Sequence, residues 1–164
     1  MPRPCARSIY GVRRFGKDQS GTSGDDTIKG SSGDDHESGH RGDDIVDGNG
    51  GNDHIDGRSG DDELCGDKGN DHINGDSGDD DISGGAGNDV LNGGKGDDHV
   101  AGDGGNDTVI GGPGHDVLRG GHGDDTIKAN DGVKDKIYCG PGDDTVTADK
   151  VDRVASDCEH VTRS

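Results

Sequence analysis

The sequence predicts an all-β solenoid, a stack of eighteen-residue coils each made of two nonapeptides, and three observations carry that reading. From Gly21 to Lys128 the chain consists of twelve consecutive nine-residue blocks without an insertion, such as GDKGNDHIN, GDSGDDDIS and GGAGNDVLN at residues 66–92. In every block the fourth residue is glycine, the sixth is aspartate, and the eighth is aliphatic except at Glu37. The fifth residue alternates, with Asp25, Asp43, Asp61, Asp79 and Asp97 in odd blocks against Asn52, Asn70, Asn88 and Asn106 in even ones, which doubles the period to eighteen. A short fixed period is the mark of a repeat architecture, and drift toward low complexity does not hold two positions fixed while their neighbours vary.

Each part of the nonapeptide has its own chemistry. Positions one to six, G-x-x-G-x-D, are read as a turn: glycine reaches positive φ without penalty, and Asp or Asn at position five is assigned the left-handed region that these two residues tolerate best. Positions seven to nine are read as a short strand. Period-two alternation turns its central residue inward (Ile28, Val46, Ile55, Leu64, Ile73, Ile82, Leu91, Val100, Val109, Leu118 and Ile127), so two parallel sheets meet over one aliphatic seam. Glu37 at an inward position, together with non-glycine residues at position two of the early blocks, predicts a frayed or open second repeat. His36, His54 and His72 occupy position seven at intervals of eighteen, while His99 falls on the other set.

The repeat region is assigned to residues 21–147. Within it, residues 129–138, containing NDGVKDKIY, are a degraded copy that keeps Asp135 and Ile137, and CGPGDDTVT at 139–147 is the thirteenth clear copy. Residues 1–20 are basic but lack the apolar stretch and small-residue cleavage site of a secretory leader, and Arg13-Arg14-Phe15 lacks the apolar run that follows a twin-arginine pair. They are read as a disordered tail or a truncated leader. Residues 148–164 are read as a C-terminal cap.

Composition excludes several functions. With 23% hydrophobic and 2% aromatic residues, 35 glycines and a formal charge of -19 in 164 residues, apolar burial alone cannot order the chain. The same charge argues against nucleic acid and anionic membranes as partners, and no stretch approaches the roughly 20 apolar residues of a membrane span. Stacked turns would place carboxylate over carboxylate roughly 5 Å apart, so cations must lie between them. A glycine-rich turn ending in aspartate offers carbonyls and a carboxylate, the hard oxygen set that Ca2+ takes.

These blocks match G-G-x-G-x-D-x-U-x and resemble the RTX, or haemolysin-type, calcium-binding nonapeptide repeat over residues 21–147. The resemblance implies a right-handed parallel β-roll with Ca2+ between turns one coil apart, held by turn carbonyls and by the position-six aspartates Asp26, Asp35, Asp44, Asp53, Asp62, Asp71, Asp80, Asp89, Asp98, Asp107, Asp116, Asp125 and Asp144. Asp26 would share an ion with Asp44, Asp35 with Asp53, and so on, giving about ten ions at two charges each. Residues 139–161 resemble a terminal segment of secreted bacterial proteins of this type, which implies a Cys139–Cys158 disulfide closing the cap. The resemblance assigns no pairing to Cys5 and Cys65.

Other chemistry is thin. Position-seven histidines read as a solvated face in preference to a transition-metal ladder. There is no nucleophile elbow and no HExxH pattern, and the outward positions are too mixed for an ice-binding face. The expectation is therefore a secreted, extracellular, non-catalytic protein that folds on binding calcium, with a structural or adhesive role in a bacterial envelope or matrix. Its expected partners beyond calcium are cell-surface polysaccharide or envelope protein. The alternative is a detached accessory module of a secreted enzyme or toxin, serving its export, folding or polysaccharide binding.

Overall fold

The computed structural model describes residues 18–164, so Cys5 and Arg13-Arg14-Phe15 of the basic tail lie outside the described residues, while its last two residues, Gln19–Ser20, pair as a strand. Strand follows strand along the chain: β1 (Gln19–Ser20), β2 (Thr27–Lys29), β3 (His36–Arg41), β4 (Ile45–Asp47), β5 (His54–Ser59), β6 (Glu63–Lys68), β7 (His72–Ser77), β8 (Asp81–Ala86), β9 (Val90–Lys95), β10 (His99–Gly104), β11 (Thr108–Ile110), β12 (Val117–His122), β13 (Thr126–Ala129), β14 (Lys136–Tyr138), β15 (Thr145–Ala148), β16 (Arg153–Val154) and β17 (His160–Arg163). The odd strands form one nine-stranded sheet and the even strands an eight-stranded one, each in unbroken sequence order. All pairings are parallel, and the result is a β-solenoid of about 8 turns, a parallel β-roll. No helix among the described residues is long and apolar enough to cross a membrane.

The eighteen-residue period is the physical coil. Ile55 lies opposite Ile73 and Leu64 opposite Ile82. Every aliphatic residue named for the seam is buried to 2% exposure or less, so one residue per nonapeptide supplies most of the core of both sheets. In the degraded copy the offset grows by one, with Leu118 opposite Ile137 and Ile127 opposite Val146. Its extra residue is absorbed in the turn, and Asp135 and Ile137 remain fully buried.

Three expectations are corrected. The strands of the central coils run for six residues, through positions seven to nine and on into positions one to three of the next block, so the true turn is confined to positions four to six. The left-handed residue is position two: His40, Asn49, Arg58, Asp67, Asp76 and Asp103 have φ between 70° and 83°, whereas no position-five residue has positive φ. This bend interrupts the ladder at the position-one glycine, the register running from Asp56↔Asn74 directly to Arg58↔Asp76. The second repeat, finally, is not frayed. β3 is a full strand paired on both sides, with Gln19 of β1 lying over Glu37, which is 2% exposed.

From Gly42 to Gly123 position four must be glycine for two reasons, whereas an added Cβ at Gly24 or Gly33 would meet nothing within 4 Å. Gly60 has φ 132°, and a Cβ there would lie 1.9 Å from the carbonyl oxygen of Gly42, the position-four glycine of the preceding coil. The turns stack backbone on backbone, leaving no room for a side chain.

Candidate metal centre

Asp62 illustrates the repeated site. It ends the Gly60-Asp61 turn at the mouth of β6, and its backbone carbonyl accepts the N–H of Asp81 one coil on at 2.8 Å. Its side chain folds back under the turn, where Oδ1 accepts the N–H of Asp44 in the preceding coil at 2.8 Å. The same bond recurs at Asp71, Asp80, Asp89, Asp98 and Asp107, joining the position-six residues of successive coils into two parallel ladders. These are the pairs the resemblance links through an ion, and here a hydrogen bond joins them.

The other carboxylate oxygen has no such partner. Oδ2 is buried and without a hydrogen bond in Asp44, Asp53, Asp62, Asp71, Asp80, Asp89, Asp98, Asp107, Asp116, Asp125, Asp135 and Asp144. It packs against the position-one glycine of its own block: a Cβ on Gly57 would lie 2.4 Å from Asp62 Oδ2 and 3.1 Å from the Gly75 carbonyl oxygen of the next coil. Gly75 and Gly93 repeat the arrangement with Asp80 and Asp98. A bare position one therefore admits carboxylate and carbonyl oxygens to one place, acceptors meeting acceptors with no donor between them. Such an arrangement is costly unless a cation satisfies it.

A family model described as the RTX calcium-binding nonapeptide repeat matches residues 20–36, 38–73, 74–109 and 101–133. The chain belongs to this RTX repeat family. No curated protein matches it. RTX repeats bind Ca2+ in general, and the oxygen-only set of this chain fits that ion, which takes six to eight hard oxygens in flexible geometry. Among the described residues no three His, Cys, Asp or Glu side chains converge on one point, so carbonyls must supply most ligands and each turn contributes a single carboxylate oxygen.

Electrostatics reinforces the fit. Burial pushes the carboxyls of Asp80, Asp89 and Asp116 up to about 7, and those of Asp53, Asp62, Asp98, Asp107, Asp125 and Asp135 up to about 6. The N–H from the preceding coil opposes this rise, and neighbouring carboxylates add to it in nearly every case. Asp44, Asp71 and Asp144 are raised by the same burial. A metal-free RTX roll thus holds carboxylates that resist ionising near neutrality.

The two ends of the array differ from its middle. Asp26 Oδ2 accepts the backbone N–H and hydroxyl of Thr22 at 2.5 and 2.8 Å, and Asp35 Oδ2 does the same with Ser31. Both hydroxyl residues stand at position two, so these candidate ligands are already satisfied by the chain. At the far end two residues outside the predicted set take over the position-six role. Asp152 Oδ1 accepts the N–H of Asp135, and Glu159 Oε2 accepts that of Asp144 at 3.1 Å. Asp152 Oδ2 is taken by the N–H of Asp149. The cap is thus built from two further rungs, legible in D-R-V and E-H-V as an acid two residues before a valine. Asp135, kept in the degraded copy but omitted from the ligand set, carries the same buried Oδ2 as the others.

Cys139 and Cys158 form the disulfide that the resemblance implied, and Cys139 joins the hydrophobic core. The histidines of position seven face outward in register, His36 over His54 with ring centroids 4.8 Å apart and His54 stacked on His72 at 5.0 Å. Position five has a separate task, since each Asp or Asn Oδ1 accepts the N–H of the position-five residue in the next coil, as from Asp79 to Asp61 and from Asn88 to Asn70. That ladder needs an Oδ1 acceptor, which both residues provide.

Proposed function

We propose that the chain is a secreted, non-catalytic calcium-binding module whose roll is held together by cations filling the turns between Asp44 and Asp144, and that it acts as a structural or adhesive element outside the cell. The observation that carries this reading is the unbroken run of buried Oδ2 oxygens without a hydrogen bond, twelve in all. So many buried acceptors are not left unmet in a stable protein, and at neutral pH a divalent cation meets them best. Membership of the RTX family supplies the identity of the ion.

The Cys139–Cys158 disulfide supports an oxidising compartment. Calcium outside cells is abundant, which suits a roll that orders on export. A protein whose fold is mostly acidic turns offers repeated, weakly selective surface, and this supports a structural role more than catalysis.

The adhesive reading is tested by incubating the calcium-loaded protein with envelope and polysaccharide fractions and washing with chelator. Retention in calcium and release by chelator is the expected result. Equal retention under both conditions, or none in either, would overturn the role while leaving calcium-coupled folding intact.

A further inference from the structure

Glu37 stands at an inward position where the repeat otherwise carries an aliphatic residue. It is 2% exposed, and both carboxylate oxygens are buried without a hydrogen bond. Glutamate buried in a seam of isoleucine and valine is expensive unless something compensates its charge or its proton.

Its surroundings are oxygen-rich. The position a Cβ would take on Gly30 lies 2.4 Å from Glu37 Oε1, 2.4 Å from the Gly48 carbonyl oxygen and 3.0 Å from Asp35 Oδ2. Three acceptors, two of them carboxylate, therefore crowd one glycine. Next along the stack, Asp53 Oδ2 packs against Gly48 itself, 2.5 Å from the corresponding point, and is also without a hydrogen bond. Among the ion pairs of the described residues none joins a lysine or arginine to Glu37.

We propose that Glu37 is a ligand of a further divalent-cation site beside Gly30, formed with Asp35 and the Gly48 carbonyl, in which the carboxylate comes from the inward column of a sheet and not from a turn. The site lies where the regular array begins. Asp35 Oδ2 already accepts two hydrogen bonds from Ser31, so it offers a cation less than the other turns do, and Glu37 supplies a further pair of oxygens from two residues along the chain. Calcium, with its high coordination number and flexible geometry, suits a set of two carboxylates and a carbonyl better than magnesium does.

This inference rests on the calcium-binding reading, and the experiment separates the two. Calcium bound at saturation is counted by equilibrium dialysis with metal analysis for the parent, Glu37→Gln and Glu37→Ile. Isoleucine stands at the same position in the next coil, Ile55, so the second variant keeps the fold. Each variant is expected to bind one calcium fewer than the parent, with the remaining sites unchanged. If both bind as many ions as the parent, and Glu37→Ile folds at lower calcium, Glu37 is a neutral buried acid and the proposal is wrong. A parent that binds no calcium would instead refute the wider reading.

Discussion

Asp61 and Asp62 are adjacent, carry the same charge and do different things. Asp61 Oδ1 accepts the exposed N–H of Asp79, whereas Asp62 Oδ1 accepts the buried N–H of Asp44 and its Oδ2 is free for a cation. Asp61→Asn keeps the acceptor and should change stability by less than about 0.5 kcal/mol, with calcium stoichiometry unaltered. Asp62→Ala leaves a buried N–H unmet, costing about 1–3 kcal/mol, and also lowers the calcium count. Asp62→Asn separates the two effects, because it retains Oδ1 but loses the charge, so only the calcium count should fall. Calorimetric titration of the three variants decides it, and equal effects from Asp61→Asn and Asp62→Asn would mean that diffuse charge recruits the ions. The aspartate at position six was legible because it never varies. The purpose of position five was not, because Asp and Asn share both left-handed tolerance and an Oδ1 acceptor, and sequence alone does not choose between them.

In the central coils a strand and its turn depend on the position-four glycine, which has no room for a side chain. Gly60→Ala combines a left-handed backbone, costing about 1–2 kcal/mol, with a contact 1.9 Å from the Gly42 carbonyl. It should therefore destabilise by clearly more than the backbone cost alone, read as a raised calcium midpoint for folding. At the C-terminal end the disulfide constrains a loop of sequence separation 19. Alanine already fills position one at Ala129 and Ala148, both buried in the core, so the double variant Cys139→Ala and Cys158→Ala removes the cross-link with little packing loss. It should lose about 2–4 kcal/mol in thermal unfolding under calcium, and an unchanged transition would assign the cap's stability to its rungs alone. The strand centres and the eighteen-residue coil were readable from one aliphatic position per block. The strand lengths were not, since positions one to three are polar or glycine and pair through backbone, which leaves no hydrophobic pattern. The terminal rungs at Asp152 and Glu159 carry a weaker sequence signal because the glycines that announce a turn are missing there.

Across the whole molecule the governing fact is a core one residue wide flanked by buried carboxylates. With folded values near 6 to 7 against 3.8 for a free aspartate, the metal-free roll binds more protons than the unfolded chain between these limits. Its stability is therefore greatest in acid and is lost as pH rises through about 6 to 7. In chelator, β structure should increase as pH is lowered from 8 to 5. Calcium must displace those protons, so its midpoint should move to higher concentration over the same descent, with proton uptake by the buffer on binding. A midpoint independent of pH would show that the buried aspartates are not the ligands. The most direct test of the account is far-ultraviolet circular dichroism with hydrodynamic radius at neutral pH, in chelator and through a calcium titration. A coil-like, expanded chain that converts cooperatively to a compact β form in millimolar calcium, and poorly in magnesium, is the predicted result. A compact β signal already complete in chelator, unmoved by calcium, would contradict it.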